Sequence, residues 1–325
     1  MRVIEYRQLI QIVTMFLLVQ FFGLLLATQV FTGVTYAQVT GAQTISSSVN
    51  VLFYLAYIII FSIIIILIFK FYKGDKLFLL LEGAVVFVAS FIVFLVCISA
   101  LQGAAFANLF GTGTSYAFVA AATLALILVI AKFKKPGLRN ITAMIASVGV
   151  GLVLGISFSF FAAAIFMVIL AAYDFIAVFI TKHMIALGNM AIEKNLSFLV
   201  MVNEVEAVPL SSLSKSQRKE YDQDRKQMIQ HGGVVGKIAD SNMAPFAART
   251  ALGTGDLAMP LMLAIASYKA NLNFILPLVI VVGAVFGLIL TMLILRKYKR
   301  ALPAIPPLLF GIAVSYLTYM LIIHI

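Results

Sequence analysis

Long apolar runs separated by short polar stretches dominate the pattern of this 325-residue chain. A helix needs about 20 mostly apolar residues to cross a bilayer. Nine stretches of that kind lie at 9–31, 51–69, 79–101, 116–131, 140–157, 160–181, 250–268, 272–295 and 303–323. Strands of a membrane barrel would alternate polar and apolar residues over about ten positions, and these runs are too long and too evenly apolar for that. The pattern predicts an all-α polytopic membrane protein with nine transmembrane helices. The fifth and sixth spans are nearly continuous, parted only around Ile156–Ser159. A signal peptide has an apolar core of roughly 7–15 residues. The first run is longer, so despite a candidate cleavage site at Thr35-Tyr36-Ala37 it is read as a retained span.

The spans divide the chain into three parts. Residues 1–181 form an N-terminal six-helix membrane part, 182–249 a hydrophilic loop, and 250–325 a C-terminal three-helix membrane part. Within the loop, Ser211–His231 is charged and has no strong apolar period, which reads as a solvated loop. Leu196–Val202 is apolar but too short to span. No repeat relates the two halves, which weighs against a transporter built from internal repeats.

Composition sharpens the picture. Hydrophobic residues make up 63% of the chain and charged residues 11%, with a mean hydropathy of +1.11. Soluble domains average about 45–50% and 25%, so a soluble globular enzyme and a disordered chain are both excluded. The single cysteine, Cys97, and three scattered histidines leave no disulfide framework and no multi-cysteine or histidine metal site. Neither a metal nor an organic cofactor is expected.

A net charge of +11 can signal a nucleic-acid partner, but the positions of the charges give a simpler account. Arg2 and Arg7 precede the first span. Lys70, Lys73 and Lys76 follow the second, and Lys132, Lys134, Lys135 and Arg139 follow the fourth. Further basic residues run from Lys182 to Arg249, and Arg296, Lys297, Lys299 and Arg300 follow the eighth span. On the opposite side only Lys269 remains. Cytoplasmic loops carry the excess of basic residues. The N-terminus and the 182–249 loop are therefore expected in the cytoplasm and the C-terminus outside, in the cell membrane. The partner implied is the lipid bilayer, with no nucleic acid.

Most of the 12 acidic residues lie in loops or at span ends. Glu82, near the cytoplasmic end of the third span, is expected to snorkel or to pair with Lys76. Two acids do not fit: Asp174 in AAIFMVILAAYDFIAVFI and Asp256 in TALGTGDLAMPLMLAIAS. A charge at mid-bilayer costs about 2.5–3.5 kcal/mol even on the lenient insertion scale, and neither aspartate has a Lys or Arg at its own depth. Counted at helical rise from Lys182 and Arg249, both lie about 10–12 Å below the cytoplasmic edge. On neighbouring helices they would face each other and share a proton. One is then an acid and the other a base, which can activate water and protonate an amide nitrogen. Intramembrane aspartates also serve proton relays and ion sites, so depth and pairing alone leave hydrolysis and transport both open.

The surrounding residues add detail. Gly253-Thr254-Gly255-Asp256 places two glycines in a span, which weakens the helix there and lets a backbone approach or unwind. A protease must reach an extended peptide. In Ala301-Leu302-Pro303-Ala304-Ile305-Pro306-Pro307, each residue before a proline is pushed to extended geometry. Leu302, Ile305 and Pro306 are therefore expected to be non-helical, with the helix starting near Pro307. Such a segment could line a substrate groove; an ordinary helix start accounts for the prolines as well. Tyr173 could hydrogen-bond an aspartate, though tyrosines are common near membrane interfaces. His183 sits with Lys182 at the cytoplasmic boundary and reads as a solvated end residue, His231 and His324 have no partners in sequence, and Gly111-Thr112-Gly113-Thr114 lacks the phosphate-loop lysine and reads as a turn.

Taken together, Tyr173-Asp174, Gly253-Thr254-Gly255-Asp256 and Pro303-Ala304-Ile305 resemble the presenilin/signal peptide peptidase family of GxGD intramembrane aspartyl proteases. That family has nine spans, with YD in the sixth, GxGD in the seventh and PAL in the ninth. Tyr173–Glu193 and GTGDLAMP look like the archaeal presenilin homologues. The resemblance implies that Asp174 and Asp256 are the catalytic pair and that transmembrane proteins or peptides are the substrates. It also implies that Tyr173, Gly253, Thr254, Gly255, Leu302, Pro303, Ala304 and Ile305 support the site or position substrate. This chain departs from the pattern at Ile305, where the family has Leu, and carries Thr254 as the variable residue of GxGD. That hydroxyl bears on which substrates or cleavage positions are accepted. A prepilin-peptidase-like GxGD enzyme would be shorter, with fewer spans. The alternative from another class is a proton- or cation-coupled transporter using the same aspartates, which needs a continuous polar path to both faces.

Overall fold

The computed structural model describes residues 2–32, 75–101, 114–134, 137–180, 199–209, 243–298 and 303–324. Eight α-helices lie among them: α1 (Arg2–Thr32), α2 (Asp75–Leu101), α3 (Thr114–Lys134), α4 (Leu138–Ser157), α5 (Phe160–Phe175), α6 (Thr254–Asn271), α7 (Ile275–Tyr298) and α8 (Ile305–His324). They correspond to every expected span except the second, 51–69, which lies outside the described residues. The break between α4 and α5 falls at Phe158 and Ser159, both extended. Ser159 Oγ accepts the Ala162 N–H at 3.4 Å and so caps α5. Beyond Phe175 the chain continues as a π-helical turn, Ile176–Ile180.

Among the described residues, seven helices are long and apolar enough to cross a membrane. The exception is α6, which carries Asp256 near one end and Lys269 and Asn271 at the other. It has little need of a lipid-facing surface, because Leu257, Ala258 and Leu261 through Ser267 are all buried. Lipid tails are as apolar as leucine, so helices in a bilayer associate through close packing rather than through the hydrophobic effect. Glycines supply that closeness here. A Cβ on Gly23 of α1 or Gly151 of α4 would strike Leu261, and one on Gly155 of α4 would strike Ile265.

The contacts also give helix directions. Gln20 meets Leu257 and Phe31 meets Tyr268, so α1 runs parallel to α6. Ser147 meets Thr254 and Ile156 meets Lys269, so α4 does the same. In α7, Gly283 lies against Gly311 of α8 and Gly287 against Pro307 and Leu308, an antiparallel small-residue seam. The pair α2 and α3 is antiparallel too, with Glu82 beside Lys132 at one end and Phe91 on Phe118, 6.0 Å between ring centroids, nearer the other. Glu82 thus pairs with Lys132 of α3; the expected contact with Lys76 involves a side chain outside the described residues. The antiparallel neighbour brings Lys132 level with Glu82, and both side chains are buried.

The polar segment between the two membrane parts contains two strands, β1 (Leu199–Pro209) and β2 (Met243–Gly253), paired in a two-stranded sheet. β1 is rich in valine, a residue that suits the pleated surface. In β2, Pro245 is tolerated because both strands of such a sheet are edges. The apolar end of Leu196–Val202 feeds β1, while Ser211–His231 lies outside the described residues. By internal contacts the chain separates into two units, Met1–Gln8 with Met201–Ala251, and Leu9–Val200 with Leu252–Ile325. The seventh span, expected from residue 250, becomes helical only at Thr254, because β2 extends to Gly253.

Candidate active site

The first turn of α6 carries Asp256. Gly253 is its N-cap, with extended φ −65° and ψ 142°, and Asp256 is the third helical residue. Its Oδ2 accepts the Gly253 N–H at 3.2 Å, satisfying one of the donors a helix start leaves open. A Cβ on Gly253 would stand 2.9 Å from that same oxygen and push the carboxylate aside, so the glycine gives room beside Asp256 rather than a special φ. Gly255 is exposed, and a Cβ on it would meet nothing within 4 Å. The two glycines therefore mark a strand-to-helix junction, not a loosened turn inside a helix. Proline lacks an N–H, so Pro260 leaves the carbonyl of Asp256 without its helical donor. Two nearby carbonyls are tied to other helices: Thr254 O accepts from Ser147 Oγ at 3.2 Å, and Leu257 O from Gln20 Nε2 at 2.9 Å.

Asp174 is the second-last residue of α5 and is 7% exposed. Its Oδ2 accepts the N–H of Ile305 at 3.2 Å, and the Ala304 N–H is directed at the same carboxylate. This bond comes from the start of α8, which lies at Ile305 and not near Pro307. The first residues of a helix have no intrahelical N–H partner, so prolines at its second and third positions break no ladder bond. The first ladder bond runs from Leu308 N–H to Ala304 O at 3.3 Å. Ile305 and Pro306 are helical, whereas Pro303 and Ala304 precede the helix and are buried. Because Pro306 and Pro307 have no N–H, the donors at this helix start reduce to Ala304 and Ile305. Both face Asp174, where the helix dipole also favours a negative charge. The bond to Asp174 is made by the backbone of Ile305, so isoleucine in place of the family's leucine leaves it intact. Leu302 lies outside the described residues.

Tyr173 is 42% exposed and lies on a different side of α5 from Asp174, as successive helical residues must. The π-helical turn begins two residues after Asp174; such turns occur frequently at functional sites. α5 packs against both α6 and α8, and Asp174 is close enough for its charge to act on Asp256. The end of α5 and the starts of α6 and α8 thus meet around two carboxyl groups. The helical depth count from Arg249 does not hold, because residues up to Gly253 are extended and rise about 3.3 Å each.

Sequence reasoning did not find Gln20 or Ser147. Gln20 carries a signal in hindsight, an amide inside the apolar run TMFLLVQFFGLLL, whereas nothing local marks Ser147. Among the described residues, no group of three or more His, Cys, Asp or Glu could hold a metal ion.

The family model for signal-peptide peptidase, presenilin aspartyl protease, matches residues 13–325. Similar folds occur in two solved structures of a presenilin family intramembrane aspartate protease. One, in space group C222, has a TM-score of 0.60 at 20% identity, covering 95% of this chain and 97% of that one. The other, in space group P2, has a TM-score of 0.56 at 20% identity, with 94% of each chain covered. No curated protein matches the chain.

Proposed function

The chain belongs to the signal-peptide peptidase and presenilin family of aspartyl proteases, and on that premise we propose that Asp174 and Asp256 are its catalytic pair, hydrolysing peptide bonds within transmembrane helices. The observation that carries this reading is the shared location of the two carboxyls. Each is held by a backbone N–H at a helix start, Asp174 by Ile305 and Asp256 by Gly253, and Asp256 lies within range of the charge on Asp174.

The chemistry follows from one proton held between two carboxyls. The ionised one takes a proton from water as the water oxygen attacks the peptide carbonyl. The protonated one hands its proton to the amide nitrogen as the C–N bond breaks. Because the pair titrates as a unit, the roles belong to the pair and not to either residue alone. This chemistry needs no metal or organic cofactor. The open space above Gly255, beside Asp256, suits the backbone of an extended substrate strand.

We further infer nine spans, with the second at 51–69, and the three-part division at residues 181 and 249. Support comes from helix directions. α1 and α4 both run parallel to α6, α2 and α3 are antiparallel, and α5 and α8 are antiparallel, with Asp174 beside Ile305 and Phe160 beside Tyr316. That is the alternation nine spans require. The distribution of basic residues supports a cytoplasmic N-terminus and an external C-terminus in the cell membrane.

Incubating the purified protein in detergent with a generic transmembrane peptide, followed by mass spectrometry, tests the reading. The expected cut lies inside the peptide's apolar segment. Cleavage confined to a soluble flank would contradict it, and proton or cation flux through reconstituted vesicles without cleavage would favour the transporter alternative.

A further inference from the structure

The turn that carries Asp256 is weak by its own sequence. Inside it, Gly255 is a poor helix former, and Pro260 removes the donor for the Asp256 carbonyl. A catalytic group must be held to within a fraction of an ångström, so this turn needs outside support. Two fully buried polar side chains reach it from other helices. Gln20 of α1, 1% exposed, donates through Nε2 to the carbonyl of Leu257 at 2.9 Å, across 237 residues of sequence. Ser147 of α4, 1% exposed, donates through Oγ to the carbonyl of Thr254 at 3.2 Å, while also bonding its own helix at Ala143 O, 2.8 Å. A hydroxyl has one proton, so Ser147 shares it between two carbonyls and is the weaker tie.

We propose that Gln20 is a positioning residue for Asp256, clamping the first turn of α6 through the Leu257 carbonyl, with Ser147 as a secondary clamp at Thr254. A buried amide in an apolar helix is costly unless bonded, and apolar residues of similar volume would pack this site as well. The packing of α1 on α6 is supplied separately, by Gly23 against Leu261 and Phe31 against Tyr268, 5.9 Å between centroids. The amide is thus surplus to helix association but bonded one residue from the carboxylate. Loosening the clamp lets Asp256 drift from its partner without altering substrate docking.

The proposal rests on Asp256 being catalytic, which the same assay checks separately by comparing wild type with Asp256→Ala. Gln20→Met keeps the length and apolar packing but removes the donor. Cleavage of a transmembrane peptide should show kcat down at least tenfold, KM within twofold, and a melting temperature close to wild type. Ser147→Ala should lower kcat by a smaller factor, again at unchanged KM. Gln20→Glu should recover activity at low pH, where its protonated carboxyl can donate to Leu257, and lose it as that carboxyl ionises. Wild-type kcat in folded Gln20→Met, with Asp256→Ala inactive, overturns the clamp and leaves the catalytic pair standing. Failure of both Gln20→Met and Gln20→Glu to fold assigns the bond to stability and overturns the clamp as well.

Discussion

A methyl group at position 255 would meet no atom within 4 Å, yet it would stand beside Asp256 in the first turn of α6. Stability and activity should therefore separate there. Gly255→Ala is expected to melt no lower than wild type, since alanine is favoured over glycine in a helix by up to about 1 kcal/mol. Its kcat/KM should fall several-fold, because the methyl fills space the substrate backbone needs; unchanged kcat/KM would remove Gly255 from the substrate path. Lys269 separates the other way. Its Nζ donates to the Ile156 carbonyl at 2.6 Å, among the last carbonyls of α4, which lack helical donors. A cation at a helix C-terminus is favourable as well. This accounts for a lone basic residue on the external side of the charge pattern. Lys269→Met should lower stability by about 1–2 kcal/mol, read as a drop in melting temperature, with kcat near wild type. Activity lost in step with folding would instead tie this end of α6 to the site.

Among the elements, the start of α8 carries the sharpest expectation. Pro303 is buried ahead of the helix, and the N–H of Ile305 that follows it holds Asp174. Pro303→Ala restores an N–H and releases residue 302 toward helical geometry, so the helix can lengthen backwards and carry Ile305 away. A large fall in kcat with little loss of thermal stability is expected; equal activity of variant and wild type would reduce the segment to an ordinary helix start. Helix ends were legible in the sequence wherever bilayer thickness sets the apolar length, as in α2, α3 and α5. The sheet was not. β1 sits in a polar stretch and pairs with residues more than thirty positions away, and β2 reads as the entry to a span. The prolines at 306 and 307 misled for a related reason. Their local preference is extended, but the first turn of a helix has no ladder bonds for them to break. Asp174 and Asp256 were legible because apolar surroundings make a carboxylate conspicuous. The Gly253 cap, the Ile305 bond and the Gln20 tie are contacts between elements or across a junction, which no local pattern encodes.

For the whole molecule, the packing of α6 against α4, α5 and α7, with Gln20 and Phe31 of α1 touching it as well, puts the carboxyl pair inside the bundle rather than on its lipid face. Water must still arrive, and under the orientation proposed above it enters from the cytoplasmic side. Gly255→Cys in a Cys97→Ser background should react with a small water-soluble thiol reagent added from the cytoplasm; labelling only from outside would invert the topology. The wild-type pH–rate profile should be bell-shaped. Below the lower apparent pKa both carboxyls are protonated and no base remains. Above the upper one both are ionised and no acid remains. A monotonic profile in folded protein would argue against a shared proton. The central claim is that the two aspartates act as one unit, and the most direct test is turnover of a transmembrane peptide by Asp174→Ala, Asp256→Ala and the double variant, each confirmed folded. The account predicts that each single change abolishes cleavage and that the double variant is no worse, because groups acting as a unit are strongly non-additive. Appreciable turnover by either folded single variant would contradict it.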